Sequence, residues 1–174
     1  NLLGSLMSPG LKTQQRLQMQ VLGTLGRHLG SWVGMTPGLD EYAASMAQPH
    51  YRWMRFNEHR ERLREKVVEL FRDVDVLLMP VTPTTAIPHD HSEPLFRRTI
   101  RVNGRKRPYM DQFSWITLAT TLGLPATVAP IGHDAQGLPF GIQIVGAPGH
   151  DRTTLQLARL LEQHGLAGTR LAQA

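Results

Sequence analysis

A chain of 174 residues with 41% hydrophobic and 19% charged residues can bury a core without covalent staples and has the balance of a globular protein. It contains no cysteine, which excludes a thiol nucleophile, a disulfide framework and thiolate zinc sites. The net charge of +5 is carried mostly by arginine, since Lys12, Lys66 and Lys106 are the sole lysines, and permits an anionic partner without specifying one.

No apolar run approaches the roughly 20 residues that cross a bilayer, and Asn1-Leu2-Leu3-Gly4-Ser5 lacks the basic region of a signal peptide. The expectation is a soluble, cytoplasmic chain with no membrane partner. The opening Asn suits a processed or trimmed chain, so residues 1–174 read as one domain or as a fragment.

In chain order, Ser8-Pro9 marks a helix start, and Leu17, Val21, Leu25, His28, Leu29 and Trp32 keep helical spacing on a stripe expected to face a core. Gly34 and Pro37 interrupt it. Thr36-Pro37 repeats the start signal, and Asp40 and Glu41 suit the first turn of a short helix to about Met46. A third helix is predicted from His50 to Phe71, with Trp53, Phe56, Leu63, Val67, Leu70 and Phe71 on one face. Glu58 and Arg62 stand on its solvated side. Val76-Leu77-Leu78-Met79, ending at Pro80, reads as a strand buried on both faces.

Val81 to Pro94 is rich in Pro and Thr and predicts an irregular loop. Thr99 to Val102 leads into Asn103-Gly104, a hairpin signal because both residues tolerate positive φ. A helix from Gln112 to Leu122, strands Thr127 to Pro130 and Phe140 to Val145, and a helix from Asp151 to His164 follow. Asp151 is expected to cap that last helix and Gly165 to close it, leaving 166–174 as a loose tail. Gly123-Leu124-Pro125 predicts a tight turn into a strand. Gly141 and Gly146, in an otherwise apolar strand, suggest a bulge or close backbone approach, with sheet packing favoured over ligand contact.

These pieces, in this order and spacing, resemble the C-terminal portion of the amidase signature family. The correspondence runs from about Glu58 to Glu162. It is carried by Asp75-Val76-Leu77-Leu78-Met79-Pro80, Val81-Thr82-Pro83-Thr84, Val102-Asn103-Gly104, Pro108 to Trp115, Gly123-Leu124-Pro125-Ala126 and Gly137-Leu138-Pro139-Phe140-Gly141-Ile142-Gln143-Ile144-Val145-Gly146. The resemblance implies an α/β fold, a mixed and largely buried sheet covered by helices. It also implies a hydrolase that cleaves amide C–N bonds to a carboxylic acid and an amine or ammonia, through a serine activated by a cis-bonded serine and a lysine.

That triad has no counterpart here. Ser5, Ser8, Ser31, Ser45, Ser92 and Ser114 lack a Gly-Ser-Ser-Gly context, and no lysine matches the catalytic one. A serine without a neighbouring base is a weak nucleophile, so no catalytic residue is assigned. The expected partners are a small-molecule amide and an N-terminal part carrying the catalytic residues, with no cofactor implied and an oligomer compatible with the sequence. By the same resemblance Thr82, Trp115 and Thr120 are substrate-pocket candidates. Trp115 could wall an acyl group with a flat face, although a packed core aromatic is the preferred reading. Thr120 stands where the family often has Asn, which weakens a polar role there. Family members that transamidate tRNA-bound glutamate or aspartate carry an acid in the stretch occupied by Phe113 to Thr117. This chain has none there, which points to a general amidase of apolar or aromatic amides.

Two further clusters have simpler readings. His89-Asp90-His91, with His133 or His150, has the residue types of a metal site but not the convergent spacing, and reads as a solvated loop. Arg97, Arg98, Arg101, Arg105, Lys106 and Arg107 could hold phosphates. Without interleaved aromatics or a recognition helix they read as the guard of an edge strand, and nucleic acid is disfavoured. The rival functions are a non-catalytic module descended from an amidase, which predicts a closed core, and an anion or nucleic-acid binder using the Arg97 to Arg107 cluster.

Overall fold

The computed structural model describes residues 12–29, 39–92 and 97–168. They fall into two compact units, Asn1–Arg62 and Leu63–Ala174. The boundary lies inside a continuous helix, so no linker composition marks it.

In the first unit, helix α1 spans Thr13–Leu29 and helix α2 spans Leu39–Met46. The expected starts at Ser8-Pro9 and Thr36-Pro37, the break at Gly34, and Trp32 lie outside the described residues. The stripe expected to face a core does not: Leu17, Val21 and Leu25 are 60%, 50% and 52% exposed. The two helices meet instead through small residues. Gly23 is buried against α2, where an added Cβ would come within 2.8 Å of the Ala44 backbone nitrogen and Cβ. Ala43 and Ser45 are 2% and 3% exposed beside it. Gly23 is two positions from both Val21 and Leu25, about 200° round the helix, so seating it turns the leucine stripe outward. The Gln20 side-chain amide donates to the Ala47 carbonyl and ties α1 to the end of α2.

Helix α3, His50–Leu70, starts behind Pro49, whose carbonyl accepts from the amides of Arg52 and Trp53. It ends one residue before the sequence expectation, in a tightened turn where Phe71, Arg72 and Asp73 donate to carbonyls three residues back. None of its side chains is fully buried. Of the expected apolar face, Leu63 and Leu70 are exposed, while Trp53, Phe56, Val67 and Phe71 are half-buried.

The second unit is built on strand β1 (Val76–Pro80), the hairpin of β2 (Thr99–Val102) and β3 (Arg105–Pro108), and a 3₁₀ turn at Tyr109–Phe113. Helix α4 (Thr117–Leu122), strands β4 (Ala126–His133) and β5 (Pro139–Gly146), and helix α5 (Asp151–Gln163) complete it. Strand β5 lies between β1 and β4, antiparallel to both. The register opposes Leu77 with Val145 and Val145 with Ala126, and opposed residues share a face. One face therefore carries Leu77, Met79 and Val145, onto which Ala119, Leu122 and Leu124 pack, with Val67, Phe71 and Leu118 at the margin. The other carries Ile144 and Thr127, over which α5 lies. The Thr127 and Thr154 hydroxyls are 2.8 Å apart, and Thr154 is 1% exposed.

Val145 and Ile144 are 0% exposed and Leu122 is 1% exposed, each worth about 1.5–3 kcal/mol relative to a solvated position. Strand β1 differs from its expectation. Helix α5 covers β4 and β5, leaving Leu78 on the outer strand 55% exposed rather than buried.

The glycine motif is explained by these layers. An added Cβ at Gly146 would lie 2.8 Å from Thr154 Cγ2 and 3.3 Å from the His150 carbonyl oxygen, so its bareness lets α5 approach the sheet. A bulge is present, but on β4 opposite Gly141: pairing jumps from Pro130–Gly141 to Gly132–Phe140 and leaves Ile131 unpaired. Gly123, at φ 62°, ends α4 in the left-handed conformation that the Gly-Leu-Pro turn requires.

The expected helix from Gln112 to Leu122 is divided: the 3₁₀ turn, a bend at 114–116, and then α4. Asp151 is the first helical residue of α5 rather than its cap, which is His150 without a side-chain bond. Gly165, at φ 69°, follows its end as expected. Residues 166–168 are tied down, since Leu166 and Ala167 donate to the Leu161 carbonyl and Gly168 to the Pro130 carbonyl.

Candidate functional site

After β1 the chain cannot continue as a strand, because Pro80 and Pro83 lack amide donors, and it bends through residues 81–85. Thr82 stiffens that bend by donating its hydroxyl to the Thr84 carbonyl at 2.6 Å. The next link is long-range. Thr85 Oγ1 donates to Asp134 Oδ2 at 2.7 Å, across 49 residues of sequence. Asp134 Oδ1 accepts from the amides of Gln136 and Leu138, each at 2.9 Å. One carboxylate thus shapes the β4–β5 turn and fastens the Thr-Pro bend to it. The Thr85 hydrogen bond, the largest influence, holds Asp134 below the ordinary aspartate pKa; desolvation opposes it, and the Leu138 and Gln136 amides and the nearby His133 add to the lowering.

Between the bend and strands β4 and β5 lies a cavity of about 450 Å³, lined on one side by Pro80 to Ala86 and on the other by Val128, Pro139, Phe140 and Gly141, with Gln112 at its polar margin. The Phe140 ring sits over Gly132, where a Cβ would come within 2.9 Å of Phe140 Cζ. Phe140 and Val128 remain 42% and 55% exposed.

A second cavity, of about 610 Å³, shares Pro83 and is lined by Val102, Asn103, Arg105, Arg107, Asp111, Ser114 and Trp115. The turn of its hairpin has φ of 50° at Asn103 and 77° at Gly104, which sets the two-residue register Val102–Arg105 and Ile100–Arg107. Arg107 Nε donates to Asp111 Oδ2 at 2.7 Å.

Thr82 lines the first cavity and Trp115 the second. Trp115 lies in the bend before α4 and is 41% exposed, so the packed-core reading preferred from sequence is not what the fold adopts. Thr120 lines neither cavity, and its hydroxyl bonds to the Ile116 carbonyl one turn back. Asp134, Phe140 and Asp111 were not legible as lining or supporting residues. For Asp134 a local signal exists, since Asp134-Ala135-Gln136-Gly137 has an Asx-turn pattern, with Gly137 at φ 80°.

His89 and His91 stack on each other with ring centroids 5.9 Å apart, and among the described residues no group of three or more His, Asp and Glu could hold a metal. The arginine cluster is dispersed in its bonding. Arg98 donates to the Ser92 carbonyl and lies over the Tyr109 ring, and Arg101 reaches the Gly104 carbonyl of its own turn. Gln143 is 3% exposed on β5, and its Nε2 has no hydrogen-bond partner among the described residues.

Residues 12–155 match the Amidase family model. Over 112 residues the chain is 36% identical to human fatty-acid amide hydrolase 2, covering 64% of this chain and 18% of that protein. Over 131 residues it is 29% identical to the 1-carboxybiuret hydrolase subunit AtzE of Pseudomonas sp. (strain ADP), covering 74% of this chain and 27% of that one. A solved amidase structure superposes with a TM-score of 0.58 at 28% identity, over 86% of this chain and 34% of that chain. The chain thus spans between about a sixth and two fifths of the proteins it matches. No described helix is long and apolar enough to cross a membrane. With the family model matching most of its length, and a fold shared with a solved amidase, this chain belongs to the amidase family.

Proposed function

We propose that these residues are the C-terminal part of an amidase signature hydrolase and form one wall of its acyl pocket. The observation that carries this is the family match over residues 12–155 coinciding with a cavity bounded by Thr82 and Phe140. The reaction is amide hydrolysis through an acyl-serine. A serine attacks the amide carbonyl, the C–N bond breaks as the nitrogen takes up a proton, and water then attacks the ester to release the acid.

The serine, its cis-bonded serine partner and the lysine come from outside these residues. Lys12, Lys66 and Lys106 are all exposed, unlike the desolvated setting in which a lysine serves as base. The Ser92 hydroxyl donates to the exposed Asp90 carboxylate and not to a lysine. The sheet also supports a larger assembly over a self-contained module. Among the described strands, β1 and β4 each pair on one side, with Leu78 and Val128 each 55% exposed.

The substrate is a small amide whose acyl group fits beside Phe140, Val128 and Pro83. The purified 174-residue chain should show no amide turnover, and a preparation joined to an amidase N-terminal part bearing the triad should restore it. Turnover by the chain alone that disappears on changing one of its own serines would refute this assignment.

A further inference from the structure

We infer that the second cavity is a recognition site for a singly charged carboxylate attached to a flat apolar group. The hairpin register separates its basic residues. Opposed residues share a face, so Ile100 and Val102 stand with Arg107 and Arg105, while Arg101 and Lys106 form the opposite face. The cavity lining contains Arg105, Arg107 and Val102 but neither Arg101 nor Lys106. The four basic residues of the hairpin therefore lie on two separate faces, and one of them is concave.

The charges in the cavity are unequal in their commitments. Arg107 is held by Asp111 at 2.7 Å, which fixes its guanidinium and cancels one positive charge. The Arg105 side chain makes no hydrogen bond or ion pair among the described residues. Two arginines and one aspartate leave a net charge of one, which suits a monocarboxylate better than a polyphosphate. Arginine also presents a planar fork that matches a carboxylate.

Trp115, Pro83 and Val102 supply the apolar walls. Trp115, 41% exposed, offers a ring face for stacking. Ser114 adds a hydroxyl at the same wall. Because Pro83 also lines the neighbouring cavity, a ligand anchored on Arg105 can extend toward the Thr82 bend. If the proposed amidase reading holds, the preferred substrate is an amide that also bears a carboxylate. The binding itself does not depend on that reading.

The test uses the 174-residue chain and the matched probes phenylacetate and phenylacetamide, followed by NMR titration of the Trp115 indole and the hairpin amides. Phenylacetate should bind about tenfold more tightly than the neutral amide, the loss of a charge-assisted hydrogen bond. Arg105→Gln should remove that preference and Trp115→Ala should weaken both probes, whereas Arg101→Gln should change neither. Equal binding of the two probes, no binding of either, or an Arg101→Gln loss equal to that of Arg105→Gln would each overturn the inference. None of these outcomes involves turnover, so failure here is distinct from failure of the amidase assignment.

Discussion

The helical unit and the sheet unit carry comparable apolar patterns with opposite fates. In α1 the regular stripe Leu17, Val21, Leu25 is exposed and the seam with α2 is made by Gly23, Ala43 and Ser45. In the sheet unit Val145, Ile144 and Leu122 are sealed, and Gly146 beside them admits a second layer. A helical stripe says that one face suits burial but not against what. A strand motif such as Gly141 to Gly146 contains its own steric instruction, because its bare positions fit one neighbour only.

Leu122→Ala should destabilise the sheet unit by about 2–5 kcal/mol, whereas Val21→Ala should stay within about 0.5 kcal/mol. Urea titration of both variants measures the difference. Equal losses would mean that the α1 stripe is buried in the folded chain.

Next come the close approaches. Gly146→Ala places a Cβ 2.8 Å from Thr154 Cγ2, and Gly23→Ala places one 2.8 Å from Ala44. Each should cost about 1–3 kcal/mol of overpacking, partly offset at Gly23 by better helix propensity. Thermal melts of the two should therefore rank Gly146→Ala as the more damaging.

Gln143→Met probes the one buried side-chain amide of β5 that lacks a partner among the described residues. With no partner for its Nε2 among the described residues, replacement by an apolar side chain of similar length should stabilise the chain by about 1 kcal/mol. A loss of that size would indicate that the amide is satisfied.

The smallest effect is the Asp134 clamp. Its folded pKa lies below the ordinary value, so its contribution is complete above about pH 3.9 and fades as pH falls through the folded pKa. Amide shifts of Gln136 and Leu138 should report that loss together with a shift at Thr85. Asp134→Asn should remove the inflection, and an unchanged titration in that variant would assign it to another group.

Asn103-Gly104 specified its hairpin because both residues tolerate the positive φ that a two-residue turn requires. The strand runs, the start of α3 and the close of α5 at Gly165 were legible for similar reasons, since each depends on residues within a few positions. The site was less so. Thr82 and Trp115 entered through resemblance, while the residues that shape the cavities lie far apart in sequence: Thr85 and Asp134 are separated by 49 positions.

By itself, then, the sequence determined the family motifs, the hairpin and the order of helices and strands, all of which follow from local backbone preference. Tertiary structure decided which faces are covered, that Trp115 lies at a cavity wall rather than in the core, and that Arg105 and Arg107 part company with Arg101 and Lys106. The physical reason is that burial and cavity lining depend on which surfaces meet, and neither periodicity nor charge count encodes the partner.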